Sequence, residues 1–393
     1  MSGHATPQTW GTLRLGYVAR SRVPSDLANS LQVMKMCAAF AAQVQAVDLI
    51  IPFHWDDWRV TRTDGASLWE RYALTRRFHI ARVLYPHWRD RFEVRGFSLV
   101  ATARAAVRRY DLVYSRDVWT AYWLARMGRP VAFEAHNLAE EQRYPVWQAM
   151  LHMKSLRGVF CISGALAEAY ADAGAPRELL HVLPDGVDLE RFDSPLSKDE
   201  ARRRLGLPLD PPILCHSGHI YPGRGGEEAI EALAGLPQAV LVMVGGRAED
   251  IARLQAFAAR LGVADRVVFA GQVPNSAVPA YLWSADVLVM PYTSKTPTVR
   301  YMSPLKMFEY MAAGRPIVAT DFPVVREVLR DGETAVLVEP DSAQALREGF
   351  QRVLGNPELS RRVAAGARSA VQGYSWNARA RTILSTTWPD EGR

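Results

Sequence analysis

Short runs of β-forming apolar residues alternate with helical stretches from one end of this 393-residue chain to the other, and that alternation decides the fold class. In the first half the strand-like runs are LRLGYVA, VDLIIP, DLVYS, PVAFEA, GVFCIS and LHVLP. In the second half they are PILCHSG, AVLVMVG, RVVFAG, DVLVMPY, PIVAT and AVLVE. Helical stretches such as NSLQVMKMCAAFAAQ, VWTAYWLARMG, SAQALREGFQRVLG and PELSRRVAAGARSAV lie between or after them. Strands this short and this continuously apolar belong to parallel sheets covered on both faces. The chain is also longer than one hydrophobic core serves, so two domains are expected. Residues 184–212, PDGVDLERFDSPLSKDEARRRLGLPLDPP, are polar and proline-rich with one short helical patch, and strand patterning restarts after them. They read as the linker. The expected architecture is α/β, two doubly wound domains with the default site in a cleft at the carboxyl ends of their strands.

The formal charge is +6, from 47 Lys and Arg against 41 Asp and Glu. The excess gathers in residues 71–95, where Arg76, Arg77, Arg82, Arg89 and Arg91 interleave with Phe78, Tyr85, Trp88 and Phe92. One reading is a solvated basic face; the sharper one is a segment lying on an anionic membrane surface. Nucleic acid is not an expected partner. The chain holds three cysteines, Cys37, Cys161 and Cys215, far apart and each in apolar sequence. They read as buried thiols of a reducing compartment, not as disulfides or metal ligands. No run of eighteen apolar residues occurs, and the opening MSGHATPQTWGT lacks the apolar core of a signal peptide. A cytoplasmic location follows as the expectation, with a peripheral place at the inner face of the membrane if the basic segment binds lipid.

Two stretches carry chemistry. In SGHIYPGRGGEEAIEAL, from Ser217 to Leu233, a strand ends, a glycine-rich loop follows and a helix begins near Gly226. Gly218 and Gly223 let the backbone approach an anion, the helix start offers unpaired N–H groups, and Arg224 adds a bidentate fork for phosphate oxygens. The spacing mimics a P-loop, yet Gly225 stands where a magnesium-binding Ser or Thr belongs, which argues against a nucleotide triphosphatase. The second stretch is RYMSPLKMFEYMAAGRPIVATD, from Arg300 to Asp321. Ser303 is expected to cap a helix whose first position is Pro304, leaving the amides of Leu305 and Lys306 to meet an anion. Met307, Phe308 and Met311 make the packing face. Lys306 and Glu309 read alone as an i,i+3 ion pair on that helix.

Together with PDGVDLERF, GHIYPGRG, ADVLVMPY, SPLKMFEYMAAGRPIVATD and VREVLRDGETAVLVEPDSAQAL, the N-terminal ANSLQVMKMCAAFA and FEAHN fall in the order of a known family's landmarks. The chain resembles the family-4 retaining glycosyltransferases of the GT-B fold over nearly its whole length. That resemblance implies two Rossmann-like domains facing each other across a cleft. Residues 1–190 would bind the acceptor and residues 191–373 the nucleotide-sugar donor, with a final helix in 374–393 packing back toward the N-terminal domain. It implies a nucleotide-diphosphate sugar as donor and a sugar or lipid-linked acceptor, in polysaccharide or glycolipid synthesis. By the same resemblance Arg224 meets the diphosphate, and His219 stands where the family has a second arginine. Glu309 matches the second glutamate of the family's Glu-x7-Glu signature, the partner of the ribose hydroxyls. Tyr301 occupies the place of the first glutamate. His136, in EAHN after a strand, matches a histidine that faces the donor sugar.

The catalytic candidates are therefore His136, Arg224 and Lys306. Gly218, His219, Gly223, Tyr301, Ser303, Pro304, Leu305 and Glu309 join Arg224 and Lys306 as donor-binding candidates. No Asp-x-Asp metal motif appears at a strand end, so Arg224, Lys306 and helix ends are expected to neutralise the leaving diphosphate without a metal or other cofactor. No carboxylate nucleophile is evident, which favours front-face substitution. Two alternatives share the scaffold: a nucleotide-sugar 2-epimerase, for which no acid–base carboxylate pair stands out, and a catalytically silent binding protein, to which Tyr301 gives some weight.

Overall fold

The structure, a computed structural model of the chain, describes residues 10–53, 67–85, 90–138 and 146–388, and of residues 90–94 only the backbone. It forms two compact units: Met1–Asp185 with Trp376–Arg393, and Gly186–Ser375.

The first unit is built on seven strands, β1 (Arg14–Val18), β2 (Ala46–Pro52), β3 (His79–Val83), β4 (Leu112–Ser115), β5 (Val131–Ala135), β6 (Leu156–Cys161) and β7 (Leu180–Val182). Their order is β3-β2-β1-β4-β5-β6-β7, and every pairing is parallel. Leu15 in β1 is aligned with Val47 on one side and Leu112 on the other. The central strands are buried along their length, which is why they read as unbroken apolar runs. The closing helix Trp376–Thr387 belongs to this unit. It packs on the helix Ala28–Ala41 and buries Trp376, Ala380, Ile383 and Leu384.

β3 was not anticipated. It lies at the sheet edge within the basic segment, and only Ala81 and Val83 of its five residues are buried. Two inward apolar residues among arginines give little strand signal.

The second unit carries β8 (Ile213–Ser217), β9 (Val240–Val244), β10 (Val267–Gly271), β11 (Val287–Met290), β12 (Ile317–Thr320) and β13 (Val336–Val338). The order is β10-β9-β8-β11-β12-β13, again all parallel. Its core gathers Leu214, Leu241, Met243, Val289, Val318 and Phe350. The stretch expected to be a linker is instead structured from Gly186 onward as part of this unit. A helix at Lys198–Leu205, capped by Ser197 and closed by Gly206 at φ 66°, sends Arg202 into the interior. Arg202 is 1% exposed and donates to the Ser284 carbonyl at 3.0 Å and to Asp286 at 2.5 Å. Its partners lie 82 and 84 residues along the chain, so the polar, proline-rich segment itself gives no sign of this burial.

In each sheet the strand order reverses beside the first strand, between β1 and β4 and between β8 and β11. A crevice opens at the carboxyl ends of the strands at such a point, and ligands of doubly wound sheets bind there. In the second unit the chain leaving β8 and the chain leaving β11 flank that crevice. Among the described residues no helix is long and apolar enough to cross a membrane.

Candidate functional site

The loop after β8 is shaped by glycines in backbone conformations that other residues rarely adopt. Gly218, Gly223 and Gly225 have φ of 101°, 90° and 79°. A Cβ on Gly225 would collide with the Pro291 carbonyl, so the position that resembles a metal-binding Ser or Thr is closed to both. Gly225 caps the helix Gly226–Ala234, whose first amides have no partner within the helix. The carbonyl of Gly223 accepts from the backbone N–H of Thr293 at 3.2 Å and from its hydroxyl at 3.0 Å, tying this loop to the one after β11.

Arg224 lies between two phenol rings, its Cζ 4.6 Å from the centroid of Tyr221 and 5.2 Å from that of Tyr292. Its Nε is buried and has no hydrogen-bond partner among the described residues. Lys306 reaches the same ring of Tyr292, with Nζ 5.3 Å from the centroid. Two basic side chains thus share one aromatic ring, and His219 stands near both. Burial first, then Arg224 and Lys306, hold the His219 imidazole below its ordinary pKa. This part of the site offers fixed positive charge and unpaired donors to an anion.

The helix expected from Pro304 runs over Leu305–Ala313 and ends at Gly314 with φ 64°. Its cap is Pro304, in extended conformation with ψ 118°, and no side-chain hydrogen bond closes that cap. Ser303 is therefore not the cap, and Pro304 is not the first helical residue. Proline restricts the residue before it to extended backbone, and here its own ψ stays extended, which delays the helix by one residue. The amides of Leu305 and Lys306 still stand at its open end. Tyr310 anchors the helix to both flanking strands: its hydroxyl accepts from Ser217 N at 2.8 Å and donates to the Val289 carbonyl at 3.3 Å. Tyr301 is buried, and its backbone N–H donates to the Thr298 carbonyl at 3.0 Å.

Lys306 and Glu309 do not pair with each other. Glu309 Oε1 accepts from Arg191 at 3.1 Å, with the two side chains 14% and 13% exposed. Lys306 Nζ lies 2.9 Å from His216 Nε2. Burial and then Arg224 bring the Lys306 ammonium down to about 7, with Glu309 acting in the opposite direction. Arg191 and His216 escaped sequence reasoning. The signal available for His216 was an imidazole inside the fully buried β8.

In the first unit His136 follows β5, with Nε2 2.9 Å from Glu134 Oε1. Glu134 is 1% exposed and is met by Arg379 at 2.8 Å, Gln32 at 2.7 Å and the Tyr17 hydroxyl at 3.0 Å. Burial opposes its charge, but Arg379 and then His136 outweigh it and hold the carboxyl well below its ordinary range. Burial and Arg116 push His136 down to about 4, against the pull of Glu134. The ring is neutral at neutral pH.

The basic segment resolves into unlike parts. Arg82 donates to the Val23 carbonyl at 3.2 Å, Phe78 packs edge-on against Trp69, and Tyr85 packs against Phe97. Arg76 and Arg77 are exposed. Trp88 and Arg89 lie outside the described residues, as do the side chains of Arg91 and Phe92. The expected run of outward arginines and aromatics is broken by β3.

Comparison with known proteins places the chain. Residues 31–191 match the model of Glycosyltransferase Family 4, and residues 197–370 that of Glycosyl transferases group 1. Over 220 residues the chain is 32% identical to a D-inositol 3-phosphate glycosyltransferase of Xylanimonas cellulosilytica, covering 54% of this chain and 51% of that one. Over 217 residues it is 31% identical to the GDP-mannose-dependent alpha-(1-6)-phosphatidylinositol monomannoside mannosyltransferase of Mycolicibacterium smegmatis, covering 53% and 56%. The chain spans about half the length of each of these two relatives. Among solved structures, Anabaena HepE in complex with UDP-glucose matches with a TM-score of 0.73 at 19% identity, covering 95% of this chain and 100% of that one. With both halves matched in order and each built on a doubly wound parallel sheet, the chain belongs to the group 1, family 4 glycosyltransferases of the GT-B fold.

Proposed function

We propose that the protein transfers a sugar from a nucleotide-diphosphate sugar to a hydroxyl acceptor with retention of configuration, in polysaccharide or glycolipid synthesis. The observation that carries this reading is the gathering of Arg224, Lys306 and His219 at the starts of two helices beside the switch point of the second sheet. Fixed cations and helix N-termini are what a departing diphosphate needs, because its charge grows as the glycosidic bond breaks. In the proposed step the anomeric C–O bond breaks and a phosphate oxygen takes the acceptor's hydroxyl proton. The acceptor oxygen then bonds to the anomeric carbon on the same face. Arg224 and Lys306 supply the neutralising charge, so no metal is required. Glu309 would serve the ribose hydroxyls with the acceptor capacity that Arg191 leaves it, and His136 would meet the donor sugar as a neutral imidazole.

The donor class draws support from HepE, which is described in complex with UDP-glucose. The acceptor class draws support from relatives named for inositol phosphate and for a phosphatidylinositol mannoside. We place the reaction in the cytoplasm, where the free, buried thiols of Cys37, Cys161 and Cys215 persist. The test is incubation with UDP-, GDP- and ADP-sugars, with a sugar or inositol phosphate acceptor present. Released nucleoside diphosphate and a product with the donor's anomeric configuration by NMR support the reading. An epimerised sugar, or binding without turnover under every donor, overturns it.

A further inference from the structure

Lys306 stands among like charges. The carboxylate on its own helix, Glu309, is turned to Arg191 at 3.1 Å, and the close partner of Nζ is His216 Nε2 at 2.9 Å. His216 has no exposed surface, and its Nδ1 has no hydrogen-bond partner among the described residues. An imidazole enclosed in this way, with a lysine and an arginine beside it, stays neutral, burial being the first cause. It therefore meets the lysine as a hydrogen-bonding base and not as a counter-ion. The other groups facing Lys306 are Cys215 from β8, His219 and Arg224 from the loop after it, and Tyr292 after β11. Gly218 makes the room for this arrangement: a Cβ there would lie 3.2 Å from Lys306 Cε.

We propose that His216 is the positioning residue of the diphosphate seat, holding Lys306 through Nε2, and that Lys306 takes up a proton when a nucleoside diphosphate docks. This rests on the donor-site reading given above. In the empty seat burial and Arg224 disfavour the ammonium, which lies down at about 7. An arriving diphosphate reverses that balance, since opposite charge within a few ångströms favours the charged form. The proton comes from solvent and adds to the Nζ lone pair. One of the three N–H groups stays on His216 Nε2, and two turn to phosphate oxygens. The bound state then holds a proton that the empty state lacks, so affinity falls as pH rises above the empty-seat value. The limit is about tenfold per pH unit while the bound lysine remains charged.

The test is calorimetric titration with UDP, GDP and ADP between about pH 7.5 and 9, where a terminal phosphate is already ionised. Two buffers of different ionisation enthalpy report the protons exchanged. The proteins are native, Lys306→Met, His216→Gln and His216→Phe, each checked by thermal unfolding. Native protein is expected to take up close to one proton per nucleotide near pH 8.5 and to lose up to about tenfold in affinity per unit. Lys306→Met shows neither. His216→Gln places an amide oxygen where Nε2 stood and keeps its affinity within about threefold, whereas His216→Phe loses about tenfold or more and falls to the level of Lys306→Met. Native binding with no proton uptake overturns the titration, and a native-like His216→Phe overturns the positioning. If His216→Phe does not fold, a His216→Gln protein as weak as Lys306→Met overturns it instead. A native protein that binds none of the three nucleotides removes the donor-site reading itself, and this inference with it.

Discussion

Replacing Glu309 by alanine is expected to have two effects that a second variant separates. The first is on stability. Glu309 and Arg191 are 14% and 13% exposed, and Arg191 also donates to the Asn275 carbonyl. An exposed ion pair contributes up to about 1 kcal/mol, and removing one partner of a fully buried pair costs about 3–5 kcal/mol. This pair lies between those limits, and Arg191 keeps one acceptor, so a loss of about 1–3 kcal/mol is expected. Urea unfolding reads it as a lower midpoint at unchanged slope. The second effect is on the nucleotide. If the carboxylate serves the ribose hydroxyls, its loss weakens nucleoside diphosphate binding by about 1.5–3 kcal/mol, the range for hydrogen bonds to a charged group. Arg191→Met removes the same pair but leaves the carboxylate. It should lose comparable stability while its nucleotide affinity stays within about threefold of native. Calorimetric titration of both variants decides the matter. Equal losses of affinity, or none in either, would refute the ribose assignment and leave Glu309 a purely structural partner of Arg191.

Other expectations follow from the same geometry. If Arg224 and Lys306 supply the charge as proposed, transfer should persist in excess EDTA; loss on chelation with rescue by Mg²⁺ or Mn²⁺ would contradict this. Arg379→Leu strips the buried Glu134 of its cationic partner and should cost about 3–5 kcal/mol in chemical unfolding; a cost below about 1 kcal/mol would mean that the closing helix is not integral to the first unit. His136, held down to about 4, should not titrate between about pH 5 and 8. Its folded value lies below the unfolded one of about 6.5, so its contribution to stability is present above that pH and is lost as the pH falls toward the folded value. Ring C–H shifts followed by NMR check this, and a midpoint near the ordinary histidine value would refute it.

What the sequence made legible was local. The strands whose faces are both covered, such as GVFC in β6 or VLVM in β11, are continuous apolar runs and are readable at once. The edge strand β3 was not, because only one of its faces is buried and its flanks are basic. The glycine loop and the helix after Gly225 were read correctly, since backbone geometry there demands glycine. The partnerships were hidden. Glu309 lies 118 residues from Arg191, and Lys306 lies 90 residues from His216. An i,i+3 spacing offers Lys306 and Glu309 to each other, yet each is taken by a residue brought alongside only when the chain folds over the sheet. Arg202 taught the same lesson within the supposed linker. Its charge is received by Ser284 and Asp286, which no local pattern in that segment names.

We propose that Arg224 neutralises a diphosphate whose charge grows as the glycosidic bond breaks, and the turnover rate of Arg224 variants reports that interaction. An interaction that strengthens toward the transition state acts on kcat more than on the donor KM. With whichever nucleotide sugar the native protein turns over, Arg224→Ala is predicted to lower kcat by about 10²–10³, the usual cost of one preorganised donor to a developing oxyanion. Arg224→Lys should recover part of that loss, because a point charge remains although the bidentate fork is gone. A folded Arg224→Ala protein whose kcat stays within about threefold of native would contradict the claim and move the diphosphate away from this loop.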